Sequence, residues 1–209
     1  MKVLVIGAAG KTGIEVVNRA LAAGHQVTAF VHKAAGAHLP ANVCIVEGDA
    51  TNATALENAV EAQDAVIDAL GGKTPYKETT LEATTARNAI AAMRKLGVRR
   101  LIVTSMLGEG DSRANAPFFY ERLLMPTFLH GATPDKAAME AEVKATDLDW
   151  IILRPAILTD GEATGNVRIF SADTSEKAHK ISRADLAEFI VQQLTSDTCL
   201  HQAVTIATS

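Results

Sequence analysis

Short, nearly unbroken apolar runs alternate with stretches of helical period through the first half of the chain. Lys2–Ile6, Gln26–Val31, Val43–Glu47, Ala65–Leu70 and Arg100–Thr104 read as strands. Between them, Thr12–Ala23 carries Ile14, Val17, Ala20 and Leu21 at helical spacing and stops at Gly24. Thr51–Val60 is a short helix with Thr51 or Asn52 as its cap, and Lys77–Leu96 a longer one that stops at Gly97. Runs of Val, Ile and Leu without polar alternation are what strands covered on both faces require. Strands that alternate with helices of this length predict an α/β chain with a doubly wound parallel sheet and helices on both faces.

The second half is less regular. Ser105–Thr133 holds Gly108, Gly110, Pro117, Pro126 and Gly131, a density of breakers typical of functional loops. A helix over Pro134–Thr146, a strand over Asp149–Arg154, a short strand over Asn166–Phe170, a helix over Ser182–Leu194 and a last strand over Ala203–Ala207 follow. Ser182 with Asp185 three residues on resembles a capping box. With no repeat and no low-complexity linker, residues 1–209 read as one domain. Residues 105–133 and 155–180 are expected to be its substrate-side loops, the latter part of a small C-terminal lobe over the sheet edge.

Composition narrows the function classes. Twenty Lys and Arg against 24 Asp and Glu give a net charge of −4, which lacks the basic footprint of a nucleic-acid binder. The one compact basic cluster, Arg94, Lys95, Arg99 and Arg100, sits at a predicted helix end and reads as a solvated C-terminus. Of the 2 cysteines, Cys44 lies in an apolar run and reads as core; neither has metal-ligand or disulfide-framework spacing. The opening MKVLVIGAAG runs straight into a glycine loop and does not read as a signal peptide, and no apolar run is long enough to span a membrane. The expectation is a cytoplasmic monomer or small homo-oligomer with a small-molecule substrate and neither nucleic-acid nor membrane partners.

The chemistry is concentrated in VLVIGAAGKTG. Gly7, Gly10 and Gly13 stand between a strand and a helix, where a Rossmann-type nucleotide fold needs a tight turn, a close backbone approach to pyrophosphate and close helix packing. The helix N-terminus then offers free N–H groups to phosphate. At the end of the second strand, where NAD-specific sites place a carboxylate, the chain reads Phe30-Val31-His32-Lys33. Two potential cations and no acid there favour NADP(H), with NAD(H) left open. Asp49 of Gly48-Asp49-Ala50 either accepts from an adenine amino group or caps the helix after it. Gly71 and Gly72 follow the fourth strand at its carboxyl end, where ligands of open α/β sheets bind.

IGAAGKTG, GDA, LIVTSM, LDWIILRPAIL and ISRADLAEFIVQQL, in this order, resemble the atypical short-chain dehydrogenase/reductases. The likeness is strongest to the biliverdin-IX-beta reductase/flavin reductase group and its NAD(P)H-binding, NmrA-like relatives, and it covers nearly the whole chain. The resemblance implies that Gly7, Ala9, Gly10, Lys11, Thr12, His32, Asp49 and Ala50 hold the adenosine half of the cofactor. Leu70 to Lys73 would lie along its ribose–nicotinamide side. Ser105, preceded by Thr104, matches the serine beside the nicotinamide; Lys136 matches the contact to the nicotinamide ribose; Pro155, Ala156 and Ile157 match the loop under the ring. This chain departs from the group in having His32 where arginine is common. It also lacks the Tyr-x-x-x-Lys pair of ordinary members: Leu124 stands four residues after Tyr120, and Ala132 four before Lys136.

These features predict NADPH-dependent hydride transfer to a planar conjugated acceptor, a flavin, biliverdin or quinone-like ring, with Ser105 and Lys136 as the catalytic pair. Phe118, Phe119, Tyr120, Met125 and Phe128 line a pocket for such a ring, pack the loop to the core, or form an oligomer contact. Arg113 and Arg122 nearby read first as exposed surface residues, with contact to the acceptor's propionates or flavin phosphate as the alternative. A cofactor sensor without turnover and a sugar-nucleotide epimerase/dehydratase are the alternatives.

Overall fold

The computed structural model describes residues 1–72, 74–174 and 176–208. Seven parallel strands form most of one sheet: β1 (Lys2–Ile6), β2 (Gln26–Val31), β3 (Cys44–Glu47), β4 (Ala65–Asp68), β5 (Arg100–Thr104), β6 (Asp149–Pro155) and β10 (Gln202–Thr208). The spatial order is β3-β2-β1-β4-β5-β6-β10-β8, with β8 (Val167–Phe170) antiparallel on the edge. β7 (Ile157–Thr159) and β9 (Lys180–Ser182) make a separate parallel pair, neither expected from the sequence because each is only 3 residues long.

Side chains on β1 show how the sheet becomes doubly covered. Val3 and Val5 pack with Val16, Val17 and Ala20 of α1 (Lys11–Ala22) and with Leu186 and Ile190 of α6 (Arg183–Gln192). Leu4 and Ile6 point the other way, to Leu56 of α2 (Ala53–Val60), Ile90 and Met93 of α3 (Leu81–Leu96), and Met139 of α5 (Ala132–Lys144). A period-2 strand with both sets apolar must find helices on both faces. A third, smaller core of Leu107, Tyr120, Met125, Ala156 and Phe170 holds the irregular segment against the C-terminal lobe. That segment contains a 3-10 turn, a π turn and the one-turn α4 (Met125–Thr127).

Local signals end most helices where expected. Asn52 caps α2 through its side-chain oxygen on the Ala55 amide, Gly97 ends α3 in the left-handed region, and Ser182 caps α6 on the Asp185 amide. α3 starts at Leu81 rather than Lys77, because Asp135 of α5 accepts from the Glu82 and Ala83 amides at 3.0 and 2.9 Å and caps it there. Cys44 is a correction: it is exposed, because β3 is the outermost strand and is poorly covered. The basic cluster is structural, with Arg94 on Asp147, Lys95 on Glu57, Arg99 on Asp149 and Arg100 on Asp197. Among the described residues no helix is long and apolar enough to cross a membrane.

Candidate functional site

The chain leaves β1 for β2 on one side and later crosses to β4 on the other, so the strand order reverses between β1 and β4. A cleft of about 440 Å³ opens above the carboxyl ends at that switch point. Gly7, Ala9 and Gly10 from the glycine loop, His32 and Lys33 from the end of β2, and Leu70 and Gly71 from the end of β4 all line it.

The three glycines have different reasons. A Cβ on Gly13 would fall 2.2 Å from the Gly7 carbonyl oxygen, and one on Gly7, at φ +76°, would fall 2.9 Å from Leu70 Cα. Gly13 therefore lets α1 pack on the loop, and Gly7 makes the turn. A Cβ on Gly10 would meet only the Gly7 oxygen, at 3.2 Å, so its open side faces the cleft. Gly10 is also the N-cap of α1 and offers no side chain to the first-turn amides, and that turn has no acid. Free donors, a positive dipole end and an open backbone fit a pyrophosphate.

Other expected cofactor residues lie around this cleft in different roles. Thr12 follows in the first turn of α1. Lys11 turns its ammonium to Asp160 at 3.1 Å, where Arg183 also binds at 2.6 Å, and so lines a separate neighbouring cavity. His32 and Lys33 are exposed at the cleft rim. Asp49 accepts from the Thr51 amide and hydroxyl, each at 2.8 Å, which hold its carboxyl below the usual range. Its turn precedes the true cap, Asn52; its second oxygen has no protein partner among the described residues. Ala50 is buried beside it, with its carbonyl 3.4 Å from Asn88 Nδ2. Lys73 lies outside the described residues.

Toward β5 the site is built from buried charge, of which the sequence reading named Lys136 and missed Glu82, Asp68, Glu140 and Arg154. Lys136 is only 6% exposed; its Nζ donates to the Thr104 carbonyl at 2.6 Å and forms an ion pair with Glu82, by proximity rather than as an aligned hydrogen bond. Glu82 also accepts from the Gly72 amide at 3.3 Å, and Asp68 accepts from the Leu70 amide at 2.9 Å. Burial pushes the Asp68 carboxyl up to about 6 from 3.8, although the Leu70 amide and Lys136 pull the other way and Glu82 adds to the rise. A folded value above the unfolded one means the stability Asp68 contributes is complete below about pH 4 and is lost as pH rises through about 6. Asp68→Asn keeps an acceptor for Leu70 and removes the buried charge. It is expected to raise stability at pH 8 by on the order of 3 kcal/mol, with the gain shrinking toward pH 4. Thermal unfolding at the two pH values checks this; an equal effect at both would contradict it.

Ser105 follows Thr104, its amide donating to the Leu153 carbonyl at 2.7 Å. Its hydroxyl is buried and has no well-directed partner among the described residues, although it lies close enough to the Glu140 carboxylate to favour the ionised form. Beneath it Arg154, 1% exposed, forks onto Glu140 at 2.8 and 2.7 Å and also pairs with Asp111. Pro155 ends β6 and accepts from the Leu107 amide at 3.1 Å; Ala156 is buried and Ile157 is exposed beside them.

The aromatic segment divides. Tyr120 and Met125 are core, and the Tyr120 hydroxyl donates to the Leu107 carbonyl at 3.0 Å, its ionisation suppressed by burial and by Glu109. Phe118, Phe119 and Phe128 are exposed, with the Arg122 guanidinium 5.7 Å from the Phe118 ring centre and Tyr76 beside Phe128. Arg113 is exposed as well.

Residues 7–197 match the family model described as NAD(P)H-binding. The chain belongs to this NAD(P)H-binding family. The Saccharomyces cerevisiae UPF0659 protein YMR090W is 29% identical over 99% of this chain and 90% of its own length. The solved structure of ChuY, an anaerobillin reductase from Escherichia coli, is 26% identical, with a TM-score of 0.78 over 100% of this chain and 97% of that one. A short-chain dehydrogenase/reductase from Veillonella parvula, solved in complex with NADP, shares the fold at a TM-score of 0.79 over 99% of this chain and 94% of that one, with 16% identity. The likeness to atypical short-chain dehydrogenase/reductases holds, and the chain has an NAD(P)H-binding, oxidoreductase-like fold.

Proposed function

We propose that this protein is an NADPH-dependent reductase that passes a hydride to a planar conjugated acceptor such as a flavin, a linear tetrapyrrole or a quinone. The observation that carries the reading is the cleft at the switch point, which joins an uncapped helix N-terminus to His32 and Lys33 at the end of β2; no carboxylate is among its lining residues, the nearby Glu47 and Asp49 being held by the Ala34 amide and by Thr51. A 2′-phosphate is attracted there, and a ribose hydroxyl lacks the acid that usually receives it. ChuY is an anaerobillin reductase and the Veillonella protein was solved with NADP, which is consistent with this assignment.

When bound, NADPH supplies the hydride. The chain's own groups bind and orient it: the Gly7–Gly13 loop and Thr12 at the phosphates, His32 and Lys33 at the ribose phosphate, Asp49 and Ala50 at the adenine. Leu70, Gly71 and Gly72 run along the ribose, with Pro155, Ala156 and Ile157 under the nicotinamide. Lys136 has three donors, of which the Thr104 carbonyl takes one while Glu82 pairs with the charge; a remaining donor is the one we assign to the ribose. Ser105, whose hydroxyl lacks a directed partner, is the group assigned to the nicotinamide or the acceptor. Tyr120 is engaged with Leu107 and cannot serve as the acid of a Tyr–Lys mechanism. An acceptor that takes its proton from water suits such a site. Residues 105–133 and 155–180 are the segments we assign to the acceptor side of a single unit spanning 1–209.

The test is NADPH oxidation at neutral pH with FMN, biliverdin and a simple quinone offered separately, and NADH run in parallel. Saturable turnover with one acceptor is expected, and Ser105→Ala should lower kcat about tenfold, the worth of one hydrogen bond. The burial of Ser105, 4% exposed, favours a second reading, a sensor that binds NADPH without turnover. Tight NADPH binding with no oxidation by any acceptor would select it.

A further inference from the structure

Glu82, at the start of α3, touches both halves of the nicotinamide side. One carboxyl oxygen accepts from the Gly72 amide at 3.3 Å, in the loop after β4; the other pairs with Lys136 of α5, whose ammonium also holds the Thr104 carbonyl at the end of β5 at 2.6 Å. Glu82 and Lys136 are 2% and 6% exposed, so this bridge is shielded from water and salt. Asp135, one residue before Lys136, accepts from the Glu82 and Ala83 amides and fixes α3 against α5. Two elements, the loop after β4 and α5, thus meet on one carboxylate, with β5 reached through Lys136, and among the described residues none of its contacts reaches the glycine loop or the β2 end.

We propose that Glu82 is a positioning residue for the nicotinamide half of the cofactor, tying the 70–72 loop to Lys136 and Thr104 so that the two sides of the ring's site keep one spacing. The proposal rests on the NADPH-binding reading. The adenosine half is held at the opposite end of the cleft, by elements Glu82 does not touch. A residue that acts only through overall stability would weaken both halves alike; a positioning residue weakens one.

The experiment compares Glu82→Gln with wild type for two ligands, NADPH and 2′,5′-ADP, which carries the adenosine and its phosphates without the nicotinamide. The substitution preserves an acceptor for Gly72 and removes the charge that holds Lys136. The expected result is NADPH binding weaker by about tenfold or more, with 2′,5′-ADP binding unchanged within a factor of about two. Equal weakening of both ligands, or no change in either, overturns the proposal. Wild type that binds neither ligand overturns the cofactor reading itself, and this inference with it. Should Glu82→Gln fail to fold, amide exchange in the wild type decides. The Gly72 amide, held by Glu82, should exchange far more slowly than that of Gly71, which has no partner among the described residues. Equal rates would show that the tether is not kept in solution.

Discussion

Gly13→Ala is expected to abolish NADPH binding, with affinity falling by more than about a hundredfold, the worth of two hydrogen bonds to a charged group. The added Cβ would sit 2.2 Å from the Gly7 carbonyl oxygen and 2.8 Å from Ala8 Cα, both backbone atoms that cannot rotate away. Either α1 lifts off the loop or the loop unwinds, and in both cases the amides lose their common aim at the phosphates. Overpacking of this kind also costs about 3 kcal/mol of stability, or roughly 6–12 °C in Tm for a chain of this size. Gly24→Ala is the control. Gly24 lies at φ +82° with nothing near its would-be Cβ, so it loses about 1 kcal/mol and leaves binding intact. Titration of NADPH against both variants, with thermal melts, separates the two effects. Full affinity in Gly13→Ala would mean that this loop does not hold the phosphates.

The largest stability effect is expected at Arg154. Arg154→Ala leaves Glu140 buried with Lys144, at 2.8 Å, as its one remaining counter-ion among the described residues, and breaking such a pair costs about 3–5 kcal/mol. Replacing both partners, as in Arg154→Met with Glu140→Leu, should recover most of that loss, because no charge is then left without a partner. The pair also fixes a pH dependence. Burial pushes the Glu140 carboxyl up, but hydrogen bonds from Arg154, then Lys144, helped by the nearby Ser105 hydroxyl, outweigh it and hold the group at about 2 instead of 4.5. A depressed folded value means the pair's stability is present above pH 4.5 and is lost as pH falls toward 2. The single variant should therefore melt well below wild type at pH 7, and the gap should narrow toward pH 2. A constant gap would mean that the pair's charge is not what stabilises it.

The glycine loop was legible because its signal is local. Gly7, Gly10 and Gly13 are required by a turn and a helix start within a few residues of one another, and the apolar run before them marks the strand. The end of β2 was equally legible, since parallel register brings His32 and Lys33 beside Gly7 once β1 and β2 pair. Lys11 was read from the same motif, but its ammonium is held by Asp160, 149 residues away, which no local pattern shows. Cys44 misled because an apolar run reads alike on a central strand and an edge strand; only the sheet order puts β3 outside.

The sequence by itself determined the alternation of strands and helices, the double cover of the sheet and the phosphate loop. Each follows from neighbour-to-neighbour periodicity and from glycine's lack of a side chain. Tertiary structure alone decided how the charges of the other half of the site are partnered. Asp68 and Arg154 were visible as charges inside apolar runs, yet their meaning lay in partners on other elements. Glu82, Lys136 and the Thr104 carbonyl meet only after α3 and α5 pack beside β5. Glu140 and Arg154 meet only when α5 lies over β6. A buried charge is tolerable only where a partner is brought to it, and the fold supplies that partner from a distance in sequence that local pattern cannot encode.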